Sequence, residues 1–371
     1  MAITQRNAPQ IYESPVGAEI VLNGRRYINF GGSSYLGLAG NPRILEAGAA
    51  ALRECGSGGP VPSIHGVSTR ALLEVESEGC HFFASESALY LSAGYFFGLA
   101  AVAVVREQFD AIFFDELAHY CLLDGIAGSG LPHYPFRHLD VEDLELKLKG
   151  YLDGNERPLV VTDGLFSTYG EIAPLDRLCG AVSPYGGRLL VDESHSFGVL
   201  GVSGRGAVEH HQIDSAMALV GGSLGKAFGT CGGLIPASEA EVASLRSTLV
   251  GRGASTGLPA AAAMCAASLR YVRQHPELLT RLRENIRYVK YGLRQLGLEI
   301  PGDDLAPIAS FTTGSGNSLR KLREALLEQG IFVYHSTYIG AGDGGIIRCG
   351  IFADHRREHL DALIHALRML L

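Results

Sequence analysis

The sequence predicts an α/β protein in which a large domain with a mostly parallel sheet, covered by helices on both faces, is followed by a smaller C-terminal α+β domain. From about residue 86, short apolar strands alternate with helical stretches, which is typical of a parallel sheet. After Pro259 two long helical patterns replace this alternation. A chain of 371 residues suggests about two domains. We therefore expect an N-terminal arm and hairpin over residues 1–50, a large domain over 51–270 and a small domain over 271–371.

A hairpin and a helix are the first predicted elements. Residues 19–22 and 25–28 flank Asn23-Gly24, a strong signal for a two-residue β-turn. Asn41 followed by Pro42 predicts a helix start, because asparagine caps helices and proline fits the first helical position. Further along, the large domain is predicted to contain strands at 88–91, 111–114, 159–162, 188–191, 217–220 and 233–236, with helices at 141–152 and 174–182.

The C-terminal part combines long helices with short strands. The terminal helix is the clearest, because its apolar side chains recur at helical spacing. These side chains are Leu360, Leu363, Ile364, Leu367 and Leu370. The other predicted elements are helices at 260–274, 276–296 and 318–329, and strands at 308–312, near residue 332 and at 346–351.

Composition excludes several function classes. The net charge of −8 argues against nucleic-acid binding, which needs a basic face. The longest apolar run, 91–105, is shorter than the roughly 20 residues of a membrane span. The N-terminus has no apolar segment of the signal-peptide kind. Seven cysteines without a C-x-x-C pair favour reduced thiols and a cytoplasmic location.

An acidic residue ends one of the predicted strands. Residues 189–191 run directly into Asp192-Glu193-Ser194-His195. In open α/β sheets ligands bind beyond the carboxyl ends of the strands, so Asp192 is a candidate site residue. Alternatively, its side chain only caps the next turn.

A glycine-rich segment with a lysine follows the next strand. Residues 221–229 read GGSLGKAFG. A phosphate loop of the G-x-x-x-x-G-K-[ST] type is excluded, since Val220 and Ala227 stand where glycine and Ser/Thr are required. A G-x-S-x-G elbow around Ser223 matches literally. The remaining interpretation is a Schiff-base lysine, Lys226, set among small residues that let a flat cofactor approach.

Taken together, these segments resemble the pyridoxal 5′-phosphate (PLP)-dependent α-oxoamine synthases of fold type I. This family includes 8-amino-7-oxononanoate synthase, 2-amino-3-ketobutyrate CoA ligase, 5-aminolevulinate synthase and serine palmitoyltransferase. The resemblance implies a PLP-dependent transferase fold with a seven-stranded, mostly parallel sheet. It extends over nearly the whole chain, through residues 29–38, 92–95, 115–119, 163–175, 192–206, 223–233, 255–259 and 348–355.

The resemblance implies a role for each residue around the cofactor ring. Lys226 would hold PLP as an imine and then take the Cα proton of the amino acid. Asp192 would pair with the pyridine nitrogen, and His195 would hydrogen-bond the ring hydroxyl oxygen. His119 would stack on the ring, and Ser167 would lie near the ring oxygen.

Other residues are assigned to the phosphate and the substrate in the same way. Gly94 and Tyr95 would present backbone N–H groups to the phosphate at a helix start, and Ser223 would add a hydroxyl. Ser255 and Thr256 match residues that reach the phosphate of the neighbouring subunit's cofactor, which implies a homodimer with active sites at the interface. Arg348 would bind the substrate carboxylate. No metal is implied.

The implied reaction is a condensation of an amino acid with an acyl thioester. The thioester would be an acyl-CoA or an acyl-carrier protein. Loss of CO2 usually follows, giving an α-aminoketone, although the aminoketobutyrate branch keeps the carboxylate.

Three positions depart from the family pattern. Ser33 stands where relatives have an asparagine near the amino-acid carboxylate, and Gly98 replaces an asparagine after the phosphate loop. Arg70 stands where relatives have a histidine, in a stretch that lines their acyl-donor entrance. Ser33 is either a tolerated exchange with a bridging water or a sign of a different substrate. Arg70 either pairs with Glu74 one helical turn away or meets an anionic group of the donor.

Three rival functions remain open from the sequence. A serine hydrolase would use Ser223 with His335 or His355. A fold type I aminotransferase would need no thioester. An inactive partner subunit is disfavoured, because Lys226, Asp192 and His195 are all present.

Overall fold

The computed structural model describes residues 10–58 and 65–371. The first part of the predicted N-terminal arm lies outside these ranges. So do residues 60–64, which belong to the stretch 60–74 around Arg70 that lines the acyl-donor entrance in relatives. The strands are β1 (Glu19–Leu22), β2 (Arg25–Asn29), β3 (Ser87–Leu91), β4 (Ala111–Asp115), β5 (His133–Phe136), β6 (Pro158–Asp163), β7 (Arg188–Asp192), β8 (Ala218–Ser223), β9 (Gly233–Ala237), β10 (Ile308–Phe311), β11 (Ile331–Phe332), β12 (Tyr334–Ser336) and β13 (Ile346–Gly350).

Helices flank these strands along the whole chain. They are α1 (Pro42–Cys55), α2 (Arg70–Phe83), α3 (Phe96–Val105), α4 (Tyr120–Ala127), α5 (Val141–Tyr151), α6 (Leu175–Val182), α7 (Ala207–His210), α8 (Glu239–Ser247), α9 (Leu249–Gly253), α10 (Pro259–Gln274), α11 (Glu277–Gln295), α12 (Gly316–Glu328) and α13 (Arg357–Leu370). Among the described residues, no helix combines the length and the apolar character that crossing a membrane requires.

A seven-stranded sheet forms the centre of the predicted large domain, in the order β3-β9-β8-β7-β6-β4-β5. The strands from β8 to β5 run parallel, and β9 is antiparallel to both of its neighbours. Strand β6 is buried along its whole length, as expected for a parallel strand covered on both faces. The predicted fold class, including the seven-stranded sheet, is confirmed.

The edge strand β5 was not predicted. Only one of its four residues is buried, and it contains Pro135, which a sheet tolerates mainly at an edge. Without a continuous apolar run, this strand carries no signal that separates it from a loop.

Two small sheets complete the fold. Strands β10, β13 and β12 form an antiparallel sheet in the C-terminal part. The predicted hairpin β1–β2 forms with positive φ at Asn23 and Gly24, and β2 pairs in parallel with β11. The N-terminal hairpin therefore lies against a strand from the C-terminal part of the chain.

Two features of the helices position the site. Asn41 caps α1 as predicted, its side chain accepting a hydrogen bond from the Arg43 N–H at 3.0 Å. Helices α3 and α4 cross so closely that a Cβ on Gly98 would lie 2.0 Å from the Cys121 carbonyl oxygen. Gly98 thus serves helix packing in this chain, and the crossing brings the start of α4 beside the ends of the central strands.

Candidate active site

Two aspartates face each other at the carboxyl ends of the central strands. Asp163 ends β6 and Asp192 ends β7, and the two are directly paired across the sheet. Both are buried. Asp163 accepts a hydrogen bond from the His119 N–H at 2.9 Å. Burial, reinforced by the neighbouring Asp192, raises the pKa of Asp163 well above its usual value, which favours its protonated form.

Asp192 has a partner on each carboxylate oxygen. Oδ1 accepts from the Ser194 N–H at 2.8 Å, and Oδ2 accepts from the Cys121 thiol at 3.2 Å. The first bond is the turn cap that the sequence left open as an alternative. This bond is not the only interaction of the carboxylate, which also interacts electrostatically with Lys226.

Lys226 follows β8 and is the cation of this cluster. It forms no ion pair within the described part of the chain. Burial lowers the pKa of its amine below the usual value, while Asp192 and Asp163 act in the opposite direction. A half-buried lysine with a lowered pKa has the properties of a nucleophile or base rather than of a solvated surface cation.

Arg348, Tyr35 and His195 form a buried chain of hydrogen bonds. Arg348 Nη2 donates to the Tyr35 phenol oxygen at 3.3 Å, and that oxygen lies 2.7 Å from His195 Nδ1. Burial lowers the pKa of His195 well below its usual value, so the imidazole is neutral. Because arginine only donates, the Tyr35 hydrogen is free to point at Nδ1, which leaves His195 with its proton on Nε2.

His119 lies at the start of α4, next to the aspartates. Its Nδ1 accepts from the Cys121 N–H at 3.2 Å and lies 3.0 Å from the Cys121 sulfur. The ring centroid is 6.1 Å from that of Tyr95 and 6.4 Å from that of Tyr338. Burial lowers the pKa of His119, so this ring too is favoured in its neutral form.

The residues predicted to bind a phosphate meet at the start of α3. A Cβ on Gly94 would lie 2.5 Å from the Ser223 Cβ, so only glycine fits there. Helix α3 begins after Tyr95 without a capping side chain, and its first N–H groups suit an anion. The Ser223 hydroxyl accepts from the Gly225 N–H at 3.0 Å. These features fit a phosphate cradle.

Other predicted residues lie outside this cluster. Ser255 is exposed, and its hydroxyl accepts from the Gly257 N–H at 3.2 Å. Thr256 is half-buried. Arg70 is exposed at the start of α2 and makes no ion pair with Glu74. The alternative that Arg70 only forms an ion pair with Glu74 along the helix is therefore not supported by the structure. Ser33 is half-buried and interacts with the Tyr35 phenol.

The structure does not support the hydrolase hypothesis. His335 Nε2 bonds the Gly344 carbonyl, and both ring nitrogens of His355 bond backbone groups at Asn29 and Phe352. The Ser223 hydroxyl instead accepts from the Gly225 N–H, so within the described residues the literal G-x-S-x-G match lacks the histidine contact of a nucleophile elbow.

Comparison with known proteins decides the family. Residues 25–367 match the family model described as aminotransferase class I and II. The chain belongs to this family. A curated relative, the 8-amino-7-oxononanoate synthase of Fervidobacterium nodosum, is 34% identical over 355 residues, covering 94% of this chain and 89% of the relative.

Solved structures agree with this placement. Serine palmitoyltransferase from Sphingomonas wittichii has a TM-score of 0.91 at 26% identity, covering 97% of this chain and 91% of that chain. Another serine palmitoyltransferase structure with the same TM-score contains PLP. The 8-amino-7-oxononanoate synthase of Francisella tularensis has a TM-score of 0.76 at 27% identity, covering 93% and 96%.

The chain is therefore a fold type I, PLP-dependent α-oxoamine synthase, an acyltransferase that condenses an amino acid with an acyl thioester. The sequence predicts this family and its cofactor, and both predictions are confirmed. Three further residues of the cluster received no role from the sequence: Tyr35, Cys121 and Asp163. Tyr35 and Asp163 stand inside the family motifs, so position alone could have suggested them. Cys121 follows His119 by two residues on α4, and only the fold reveals that it reaches Asp192.

Proposed function

We propose that the chain holds an α-amino acid by its carboxylate on Arg348, joins it to an acyl thioester, and releases CO2, the thiol and an α-aminoketone. The observation that carries this proposal is the buried Arg348 guanidinium, which has no acidic partner among the described residues. Nε donates to the Ser167 carbonyl at 2.7 Å and Nη1 to the Gly32 carbonyl at 3.0 Å.

These bonds leave part of the guanidinium available. A guanidinium has five N–H donors, and the Ser167 carbonyl, the Gly32 carbonyl and the Tyr35 phenol engage three of them. One N–H on each terminal nitrogen remains. Two parallel N–H groups match a carboxylate in bidentate geometry, and a buried cation without a counter-ion favours an anionic ligand.

The surrounding residues then perform the proton chemistry. Bound PLP supplies an electron sink for the negative charge that develops at the amino acid's α-carbon. Lys226, with its lowered pKa, takes the Cα proton. Asp192 would hold a proton at the pyridine nitrogen of bound PLP, and the His195 Nε2–H would donate to the ring hydroxyl oxygen. His119 would cover the ring, and Ser167, whose carbonyl accepts from Arg348 Nε, would lie near the ring oxygen.

The phosphate is assigned to three residues of this chain and two of a second copy. Gly94, Tyr95 and Ser223 form the cradle at the start of α3. We infer that Ser255 and Thr256 complete the phosphate site of a partner subunit in a homodimer. Sedimentation equilibrium of the purified protein tests this arrangement, since a monomer with full activity would contradict it.

Arg70 points to the acyl donor. Arg70 is exposed and has no acidic partner among residues 10–58 and 65–371, which suits a donor with an anionic group, such as CoA or the phosphopantetheine arm of a carrier protein. Arg70→Ala is expected to raise the KM for the thioester and to leave the KM for the amino acid unchanged. Arg53→Ala on α1, whose side chain pairs with Glu46, is the matched control.

A spectral titration tests the function. The purified protein, which is expected to be yellow, is titrated with each standard amino acid, then with acyl-CoA and acyl-carrier protein thioesters, while CO2 and free thiol are measured. Equal release of CO2 and thiol, only with thioester present, is the expected result. Conversion of the amino acid by a keto acid alone would indicate an aminotransferase instead.

Two variants assign the roles. Lys226→Ala should abolish the visible band of the covalently bound cofactor. Arg348→Lys should keep that band but raise the amino-acid KM, because a lysine cannot form the bidentate contact.

The seven free thiols support the inference that the enzyme works in the reducing cytoplasm.

A further inference from the structure

Three potential metal ligands meet at the strand ends. They are His119 at the start of α4, Cys121 in its first turn and Asp192 at the end of β7. One donor atom from each, an imidazole nitrogen, a sulfur and a carboxylate oxygen, lies within 4.8 Å of the other two. Cys121 and Asp192 are buried and His119 is half-buried.

The spacing of these donors fits a tetrahedral cation. The Cys121 sulfur is 3.0 Å from His119 Nδ1 and 3.2 Å from Asp192 Oδ2. Metal–ligand bonds of about 2.0–2.3 Å place the ligands of a tetrahedral zinc ion about 3.5 Å apart. A cation can therefore enter among the three donors with small side-chain shifts, and its fourth position would remain open.

The chemistry of the set favours a thiophilic cation. A thiolate, an imidazole and a carboxylate are all ligands that Zn²⁺ accepts. Thiolate and carboxylate together carry two negative charges, which a divalent ion neutralises. Lys226 opposes binding while it is protonated, and its pKa is lowered by burial, which reduces that opposition.

We propose that, in the cofactor-free chain, His119, Cys121 and Asp192 bind one thiophilic divalent cation such as Zn²⁺, and that this cation and PLP exclude each other. As the sulfur–metal bond forms, the Cys121 S–H bond breaks and its proton goes to solvent. Mutual exclusion rests on the proposed roles of His119 and Asp192 at the cofactor ring. Metal binding itself rests only on the three donors.

Co²⁺ is the probe for the site. The full-length protein is freed of cofactor by dialysis against hydroxylamine, and its fold is checked by far-UV circular dichroism. Titration with Co²⁺ is expected to saturate at one equivalent, to release a proton and to give a thiolate-to-cobalt charge-transfer band. Zn²⁺ should displace the cobalt.

Two variants locate the binding. Cys121→Ser keeps a hydrogen-bond donor for Asp192 but removes the thiolate, so the charge-transfer band should vanish and the affinity fall by at least about tenfold. Cys179→Ser, in the half-buried part of α6, is the matched control and should bind as the unmodified chain does. An unchanged band in Cys121→Ser, or no saturable Co²⁺ binding, overturns the proposal.

Competition separates this inference from the proposed function. With increasing free Zn²⁺, the apparent Kd for PLP, followed by the visible band, should rise in proportion, and Cys121→Ser should abolish the effect. If Co²⁺ does not bind while PLP binds normally, the metal site fails and the proposed function stands. If Co²⁺ binds through Cys121 and leaves PLP binding unchanged, the exclusion and the assignment of His119 and Asp192 to the ring are both wrong.

Discussion

Tyr35 lies between Arg348 and His195, its phenol oxygen 3.3 Å from the arginine Nη2 and 2.7 Å from the histidine Nδ1. The residue proposed to hold the substrate carboxylate is thus joined by one side chain to the residue proposed to bind the cofactor hydroxyl. Tyr35 is fully buried, and burial raises its pKa, so the phenol stays protonated and can donate to the imidazole.

Tyr35→Phe is expected to lower kcat/KM by about tenfold or more. The substitution leaves the buried Nδ1 of His195 without its donor and removes an acceptor from Arg348, and an unsatisfied buried polar group costs roughly 1–3 kcal/mol. Steady-state kinetics report on the Arg348 end of this hydrogen-bond chain, and the position of the visible band reports on the His195 end. Tyr27→Phe, buried in β2 within a separate cluster, is the control. Unchanged kinetics in Tyr35→Phe would show that the Arg348–Tyr35–His195 hydrogen-bond chain has no catalytic role.

Gly94→Ala is expected to weaken PLP binding while the protein still folds. The added methyl would lie 2.5 Å from the Ser223 Cβ and 2.6 Å from its Cα, so the cradle must open. Equilibrium dialysis of PLP measures the loss, and thermal denaturation of the cofactor-free protein checks the fold. Gly150→Ala on α5 meets no atom within 4 Å and should bind PLP normally. A Gly94→Ala variant with normal affinity would contradict the phosphate assignment.

Gly98→Ala should destabilise the protein through the crossing of α3 and α4. The new Cβ would lie 2.0 Å from the Cys121 carbonyl oxygen, and backbone cannot yield as a flexible side chain can. Overpacking costs typically 1–3 kcal/mol, and we expect about 3 kcal/mol in urea denaturation. Gly180→Ala, exposed in α6 with open space around it, should instead stabilise by about 0.5–1 kcal/mol. Equal stability of the two variants would argue against the tight crossing.

Lys290→Met should stabilise the protein at neutral pH. Lys290 is buried in α11, where its amine donates to the Asp303 carbonyl, and burial lowers its pKa to about 8. Below pH 8 the amine is charged in both the folded and the unfolded state. Burying the charged amine then destabilises the folded state by about 3 kcal/mol, since one pKa unit corresponds to about 1.4 kcal/mol. The lost hydrogen bond offsets about 1 kcal/mol of the gain.

The pH dependence gives the same prediction a second test. As pH rises from about 8 towards the unfolded pKa of about 10.4, the folded amine is already neutral and the unfolded one is still charged, so the penalty disappears. The stability difference between Lys290→Met and the unmodified protein should shrink over that range. Denaturation at pH 7 and pH 10 measures it, and a constant difference would contradict the burial argument.

Much of the fold follows from local signals. The hairpin at Asn23-Gly24, the helix cap at Asn41 and the apolar strands ending in Asp163 and Asp192 are each encoded within a few residues. Strand β5 is not, because an exposed edge strand with a proline lacks the apolar pattern. For the site, the resemblance assigned residues one at a time and could not show which side chains meet.

Contacts between residues that are distant in sequence could not be predicted from the sequence. Cys121 reaches Asp192, 71 positions away, and Tyr35 reaches His195, 160 positions away. Gly98 is a case of the opposite kind. The sequence places it among the departures near the phosphate loop, whereas in the structure it allows the close contact between α3 and α4. Pattern alone does not separate a residue that faces a ligand from one that faces another backbone.

The pairing of Arg348 with Gly32 and Ser167 spans 316 and 181 positions, and this has a consequence for how the protein is made. On the ribosome the strands that end in Asp163 and Asp192, and the segment after β8 that carries Lys226, are complete long before residue 348 emerges. A nascent chain can thus assemble the half of the site proposed for the cofactor while the half proposed for the substrate is still missing. Capacity to bind an amino acid should be the last property the growing chain acquires, and the first that C-terminal degradation removes.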